Sequence, residues 1–337
     1  MRQQILLNPS RHSYLSIHST NDIYVGMMRL IKVLFLIPII LFGLLWLAIL
    51  GIWQFSKSTE STVEVNYPNG ATTYPLIFVD LDLLYYVEGD RTVLVSSAIH
   101  AERPSWSPTG DQLAFHSYQN GGNEIYIVNF DGTNLRQITF SSADDKNAAW
   151  SPDGRLIAFQ SNRSGDYSIY TIDLASGELR EVTTAPTDDE YPAWSPDGEQ
   201  IIFQSLTDAA YGLYTIASSG RNRQPLQMSN AFSPAWSPNQ TTIAFSGIAE
   251  GEDLDRQNRE IFTLNISTGE VKRLTFNDVY DDYPAWSPDG ENVAFLCEGQ
   301  TTASDSISTI CVMNSDGSDI RVVTNKWRGT TPTFRPQ

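Results

Sequence analysis

Pro192-Ala193-Trp194-Ser195-Pro196-Asp197-Gly198 decides the fold, because it returns with its spacing kept along most of the chain. Close copies start at Pro104, Ala148, Pro234 and Pro284, and a worn one, Pro332-Thr333-Phe334-Arg335-Pro336, ends the sequence. The aromatic of each copy is Trp106, Trp150, Trp194, Trp236, Trp286 and Phe334, in steps of 44, 44, 42, 50 and 48 residues. A period in the forties built from short strands is the mark of a propeller blade. Ser-Pro-Asp-Gly is turn chemistry: Pro presets φ, Asp caps the turn and Gly takes the left-handed corner. An alternating strand follows each turn, for example Ile157-Ala158-Phe159 and Ile201-Ile202-Phe203. The Trp strand and the Phe strand therefore form a hairpin. Pro stands two residues before the aromatic in five of six copies. Proline is tolerated mainly on an edge strand, so the Trp strand is predicted at the inner edge of each blade, facing a central channel. The residue between Pro and the aromatic is always small (Ser105, Ala149, Ala193, Ala235, Ala285, Thr333), which suits a crowded axis.

A third strand follows, such as Ile169 to Ile172, then a turn. A fourth strand is predicted over Leu135 to Thr139, Leu179 to Thr183, Pro225 to Met228, Val271 to Thr275 and Ile320 to Thr324. Ahead of Trp106 only three strand-like runs exist: Pro75 to Val79, Leu83 to Val87 and Thr92 to Val95. Their missing inner strand is Thr331 to Arg335. The reading is an all-β, six-bladed β-propeller over 74–337: five whole blades, numbered here by their tryptophans, and a sixth shared between the two ends of the chain. That closure removes a free sheet edge.

These repeats resemble the TolB-like β-propeller repeat, a relative of the WD-type repeat. The matching residues are the Trp-Ser-Pro-Asp-Gly turns, the Ile-Ala-Phe strands, Ser161-Asn162-Arg163-Ser164-Gly165 before Ile169-Tyr170, and the Leu-Thr that ends the fourth strand. The resemblance spans about residues 75 to 336. It implies a bacterial, extracytoplasmic propeller that binds other proteins of the cell envelope. The family's namesakes carry an α/β domain before the propeller. This chain has an apolar span there, so a role in the Tol–Pal system is not implied.

Val33 to Trp53 is an uncharged run of 21 residues, about the ~20 that cross a bilayer as a helix. A secretory signal has an apolar core of only ~7–15 residues and a small-residue cleavage site, and none is evident after Trp53. No Cys follows that could carry a lipid. Arg2, Arg11, Arg29 and Lys32 precede the span and Lys57 alone closely follows it. The positive-inside rule then predicts a cytoplasmic segment 1–28, an uncleaved transmembrane signal anchor over 29–53, and a propeller on the periplasmic or extracellular side of the cytoplasmic membrane. Met27 and Met28 are alternative starts. Residues 54–73, rich in Ser, Thr, Asn and Gly, read as a flexible linker.

Residues 1–57 carry a net charge of +4 and the remainder −21. Such a domain repels nucleic acid and anionic lipid and attracts cationic groups. Acids recur before the inner strand, at Asp145, Asp189, Glu190, Asp281 and Asp282. The candidate binding site is therefore the channel rim. Oxygen-rich rims can hold Ca²⁺, the one cofactor considered, while capping of each blade's own turn is the competing reading. A second candidate is the long loop after Phe245, with Glu250, Glu252, Asp253 and Asp255; blade 5 has a similar insertion after Phe295. Insertions on one rim of a repeat fold mark binding faces. Only four His are present, at 12, 18, 100 and 116, and no G-x-S-x-G elbow exists. The function expected is a non-catalytic protein-binding or envelope-ligand-binding module. The alternatives are a glycan- or peptide-acting enzyme working in the channel and a sensor ectodomain. Finally, Cys297 and Cys311, the only cysteines, occupy the offsets of Ser161 and Tyr170. These should face each other across a hairpin, so a disulfide is expected.

Overall fold

Ser195-Pro196-Asp197-Gly198 folds as its chemistry requires. Gly198 N–H closes the turn on Ser195 O at 2.9 Å, with Gly198 at φ 74°. Asp197 Oδ1 accepts the Ser195 hydroxyl at 2.6 Å and the Glu199 N–H at 3.0 Å. The serine oxygen in turn accepts the Gln200 N–H at 2.9 Å. Ser151 and Ser287 repeat this pattern, and Ser237 does so with Asn239 in place of Asp. Each turn fixes a hairpin. In blade 3 the strands are Asp189–Trp194, Gln200–Thr207, Ala210–Ala217 and Gln224–Pro225.

The computed structural model describes residues 75–336 apart from 81–82, 89–90, 97–99, 120, 208–209, 227, 250–257, 279, 299–307 and 324–329. The expected cytoplasmic segment 1–28, the span 29–53, the linker 54–73 and the loop acids Glu250, Glu252, Asp253 and Asp255 lie outside the described residues. Among the described residues no helix is long and apolar enough to cross a membrane. These residues form six four-stranded antiparallel sheets. The inner strands are Glu102–Trp106, Asp145–Trp150, Asp189–Trp194, Ala231–Trp236, Asp281–Trp286 and Thr330–Phe334. Each touches the next and the last touches the first, so the ring is closed around an axis.

The closing blade is split as expected. Thr330–Phe334 pairs antiparallel with Leu76–Asp80, matching Leu76 with Phe334 and Ile77 with Thr333. Arg335 latches the seam: its N–H donates to Pro75 O and its Nε to Gly110 O, both at 2.8 Å. The core lies between blades rather than within them. One apolar cluster fills each of the six junctions; Trp150, Ile157 and Phe159 of blade 2, for example, pack on Ala114, Ile125 and Ile127 of blade 1. Trp194 Nε1 donates to Ala149 O of the preceding blade at 3.1 Å.

The outer strands are shorter than the sequence pattern predicts: Arg136–Gln137, Leu179–Glu181, Gln224–Pro225, Val271–Arg273 and Arg321–Val322. In three blades the threonine that ends the pattern takes over from the ladder. Oγ1 of Thr139, Thr183 and Thr275 accepts the N–H of Ile125, Ile169 and Ile261 at 2.9 Å. A side chain thus completes the hydrogen bonding of the third strand where backbone pairing stops.

The disulfide joins Cys297 and Cys311, with Cα atoms 5.9 Å apart. Its register differs from the expectation. Ser161 pairs with Ser168, and Tyr170 with Phe159. Likewise Cys297 pairs with Thr309, and Cys311 with Phe295. The two cysteines are diagonal neighbours on one face of the hairpin, not partners across it. That face is apolar, with Phe295, Val293 and Met313 beside them.

Candidate functional site

Every inner strand breaks its ladder at one place. Register shifts fall between Glu102 and Ser105, Lys146 and Ala149, Glu190 and Ala193, Phe232 and Ala235, and Asp282 and Ala285. The closing blade shifts opposite Ile77 and Val79. Within each bulge one non-glycine residue is left-handed: Arg103 (φ 52°), Asn147 (55°), Tyr191 (55°), Ser233 (49°), Tyr283 (55°) and Thr331 (34°). Five of them precede proline, which disfavours the right-handed helical region for the residue before it. The sixth is Asn, which tolerates the left-handed region. Such backbone costs ~1–3 kcal/mol per residue. Bulges next to functional sites re-aim side chains, and here all six residues line one axial cavity of about 200 Å³.

The re-aimed side chains meet on the axis. Arg103 comes from blade 1, Tyr191 from blade 3 and Tyr283 from blade 5. The guanidinium carbon lies 3.9 Å from the Tyr283 ring centroid and 4.6 Å from that of Tyr191. The two rings are within 17° of parallel, and Arg103 Nη2 donates to Tyr191 Oη at 3.2 Å. No ion pair reaches Arg103 among the described residues; Asp282, whose charge it feels, is held by Arg259 at 2.6 Å. Burial pushes the Tyr191 phenol well above its ordinary pKa.

The bulges are clasped by the preceding blade. His116 Nδ1 accepts the Asn147 N–H at 3.4 Å, Gln160 Oε1 the Tyr191 N–H at 3.1 Å, and Gln204 Oε1 the Ser233 N–H at 3.0 Å. His116 is 3% exposed, and burial lowers its pKa. Its other nitrogen lies 3.4 Å from Glu102 Oε2, and the hydrogen bond from His116 lowers the Glu102 pKa. Beside this clasp opens an off-axis cavity of about 320 Å³ whose wall includes Glu102, His116, Lys146, Tyr167 and Glu190.

Of the acids singled out in the sequence, only Glu190 lines that cavity. Its carboxylate accepts Gln160 Nε2 at 3.2 Å and Gln204 Nε2 at 3.0 Å, and burial raises its pKa. Asp145, Asp189, Asp281 and Asp282 are fully buried. Arg163 Nη2 reaches both oxygens of Asp145, at 2.9 and 2.7 Å. Arg223 forks onto Asp189 at 2.6 and 3.0 Å. Asp282 accepts Arg259 and the Tyr280 hydroxyl, each at 2.6 Å. Asp281 accepts Asn277 Nδ2 at 2.9 Å and feels the Thr275 hydroxyl, while its Oδ1 has no partner among the described residues; burial lifts its pKa to about 7. Among the described residues no group of three or more His, Cys, Asp or Glu is placed to hold a metal ion.

The six axial residues escaped the sequence reading. They stand three places before the aromatic, where the repeat varies freely while the residues that follow, Pro (once Ala), a small residue and the aromatic, keep their type. Variation at a fixed place in a constrained repeat is the signal that could have found them.

The family model described as the TolB beta propeller domain, PD40, matches residues 65–254 and 186–337. The structure of TolB from Acinetobacter baumannii is similar at TM-score 0.67 and 22% identity, over 80% of this chain and 68% of that one. A protein of Agrobacterium tumefaciens assigned as TolB gives TM-score 0.62 and 22% identity, over 77% of this chain and 92% of that one. An oligogalacturonate lyase from Vibrio parahaemolyticus gives TM-score 0.51 and 16% identity, over 75% and 72%. Likenesses at these identities concern the fold.

Proposed function

Since the chain belongs to the TolB beta propeller family, we propose that it is a protein-binding module of the cell envelope, non-catalytic, held by residues 29–53 with its propeller outside the cytoplasmic membrane. The observation that supports docking at the channel mouth is the ring of six left-handed bulges. It gathers an arginine and two tyrosines on the axis, and these residue types dominate the energetics of protein interfaces. The left-handed bulges interrupt the ladders of the inner strands and re-aim these side chains.

A photo-crosslinking residue at position 146, in full-length protein in its native membrane, should capture a discrete protein adduct. The same residue at position 197, on the opposite face of the ring, should not. Equal labelling from both positions would remove the channel mouth as the docking site. For the anchor, a reporter fused after Gln337 should be active only outside the cytoplasm; cytoplasmic activity would overturn that topology.

The off-axis cavity supports the enzymatic reading, because Glu102, His116, Lys146 and Glu190 converge there and perturbed ionisable groups mark active sites. Against it, both nitrogens of His116 are already engaged by protein groups. A general base needs a free site within reach of the proton it removes. The binding reading therefore stands first.

A further inference from the structure

The charge of −21 on residues 58–337 points to cationic partners, but the axis of the ring carries the opposite chemistry. Arg103 is half-buried, forms no ion pair among the described residues, and lies against both Tyr191 and Tyr283, whose ring centroids are 6.3 Å apart. A guanidinium has five N–H donors; Arg103 uses donors on the hydroxyls of Tyr191 and Tyr283 and has others to spare. Two further hydroxyl-bearing residues of the bulges, Ser233 and Thr331, line the same cavity. The hydroxyls of Ser233 and Thr331 are buried and have no hydrogen-bond partner, although Ser233 is only 7% exposed. Buried polar groups are nearly always satisfied, and each exception calls for an explanation. All of these residues stand at the left-handed bulges, as does Asn147, whose Oδ1 is also buried without a partner among the described residues, so the bulges gather unsatisfied polar groups around one cation.

We propose that the axial cavity is a receptor for a single carboxylate, which the partner protein inserts as an acidic side chain or a chain terminus. The inference rests on the reading of the mouth as a docking surface and names the group it accepts. One fixed cation matches one negative charge, and the planar guanidinium suits a carboxylate's two oxygens. A dianion such as phosphate would leave a charge unmatched beside Asp282, within a domain already strongly acidic. The cavity, about 200 Å³, has room for one side chain rather than a folded element.

The test is titration calorimetry on the purified full-length chain in detergent, at fixed ionic strength. The probes are N-acetylglutamate α-amide and its neutral twin N-acetylglutamine α-amide, which differ only in the carboxylate. Expected are saturable millimolar binding of the acid, no binding of the amide, and at least ~10-fold weakening in Arg103→Gln, the scale of one lost charge-assisted hydrogen bond. Absence of saturation, equal binding of the amide, equal affinity for inorganic phosphate, or an Arg103→Gln variant that binds as before would each overturn the proposal. If Arg103→Gln fails to fold, Thr331→Val and Ser233→Ala carry the test. Both remove a donor at nearly constant volume, and either must weaken binding several-fold; two folded variants with unchanged affinity would also overturn it. Because the probe is a small molecule, these outcomes do not depend on whether crosslinking captures a partner.

Discussion

Blades 3 and 5 share a turn, an inner strand and a bulge, yet treat the same buried carboxylate in opposite ways. In blade 3, Asp189 lies opposite Ser205, and Arg223 forks onto it and also donates to the Ser205 hydroxyl at 2.7 Å. Arg223 stacks over Tyr214 as well, 4.6 Å from the ring centroid. In blade 5, Asp281 lies opposite Cys297. The serine of the ionic arrangement is replaced by one half of a disulfide, and Asp281 receives one amide hydrogen bond and no arginine among the described residues. One blade ties its second strand with charge and the other with a covalent bond. The difference teaches that the acidic position belongs first to blade construction. Where its partner is lost, the acid remains as a cost.

The comparison breaks most severely at Arg223. Arg223→Ala leaves Asp189 buried without its counter-charge and should cost ~3–5 kcal/mol in urea unfolding at pH 7. An Asp189→Asn change in the same background should recover part of it. A loss below ~1 kcal/mol would reduce the pair to ornament.

Next in size is the covalent tie. Cys297→Ser with Cys311→Ser opens a 15-residue loop and should cost ~3 kcal/mol in the chain-entropy account. Unfolded, unreduced wild type should show no free thiol; two reactive thiols would remove both the bond and the oxidising compartment it implies.

Asp281 gives an effect of opposite sign. Its pKa in the folded protein, about 7, lies above the ~3.9 of the unfolded chain, so the native state holds its proton more tightly. The associated stability is present below pH ~4 and is lost as pH rises to about 7. Asp281→Asn should therefore raise stability at pH 8 by ~2 kcal/mol, bounded near ~4 by the size of the shift, and change little at pH 4. Destabilisation at pH 8 would mean that Asp281 has a charged partner after all.

The smallest effect sharpens the comparison among the clasps. His116 does in blade 1 what Gln160 and Gln204 do in blades 2 and 3. Its pKa is lowered in the fold, so its contribution is present above the unfolded value of ~6.5 and is lost as pH falls. His116→Gln should change stability at pH 7.5 by less than ~1 kcal/mol and flatten the decline toward pH 5. An unchanged slope would show that His116 does not titrate the blade junction.

Most of the architecture was readable because turn chemistry and alternation repeat. Five Trp-Ser-Pro turns and a worn sixth copy at Phe334 set the blade count, and the short first group of strands gave the closure. Two errors have a common cause. The outer strands were drawn too long, and the cysteines were paired directly rather than diagonally, because alternation fixes which face a residue takes but not the register along the strand. The rim acids were read from composition at a position. Whether a carboxylate faces solvent or an arginine depends on a residue such as Arg223, 34 residues away from Asp189, and no local pattern records that. The axial residues were invisible for a further reason: left-handed φ at Arg or Tyr has no propensity that would announce it.

The split blade also sets a clock on biosynthesis. The strand that begins the propeller at Leu76 pairs at once with Leu83–Glu88 on one edge, but its other edge finds a partner only at Phe334, 258 residues later. At ~5–20 residues per second, the first edge waits roughly 13–50 s after its own synthesis before the ring can shut. During that interval it is a bare template for strand addition, and a chain cut short anywhere before Thr330 never loses it. Residues 330–334 thus decide whether the product is a sealed ring or an open sheet, and a cell that clears exposed edges inspects every copy through that one seam.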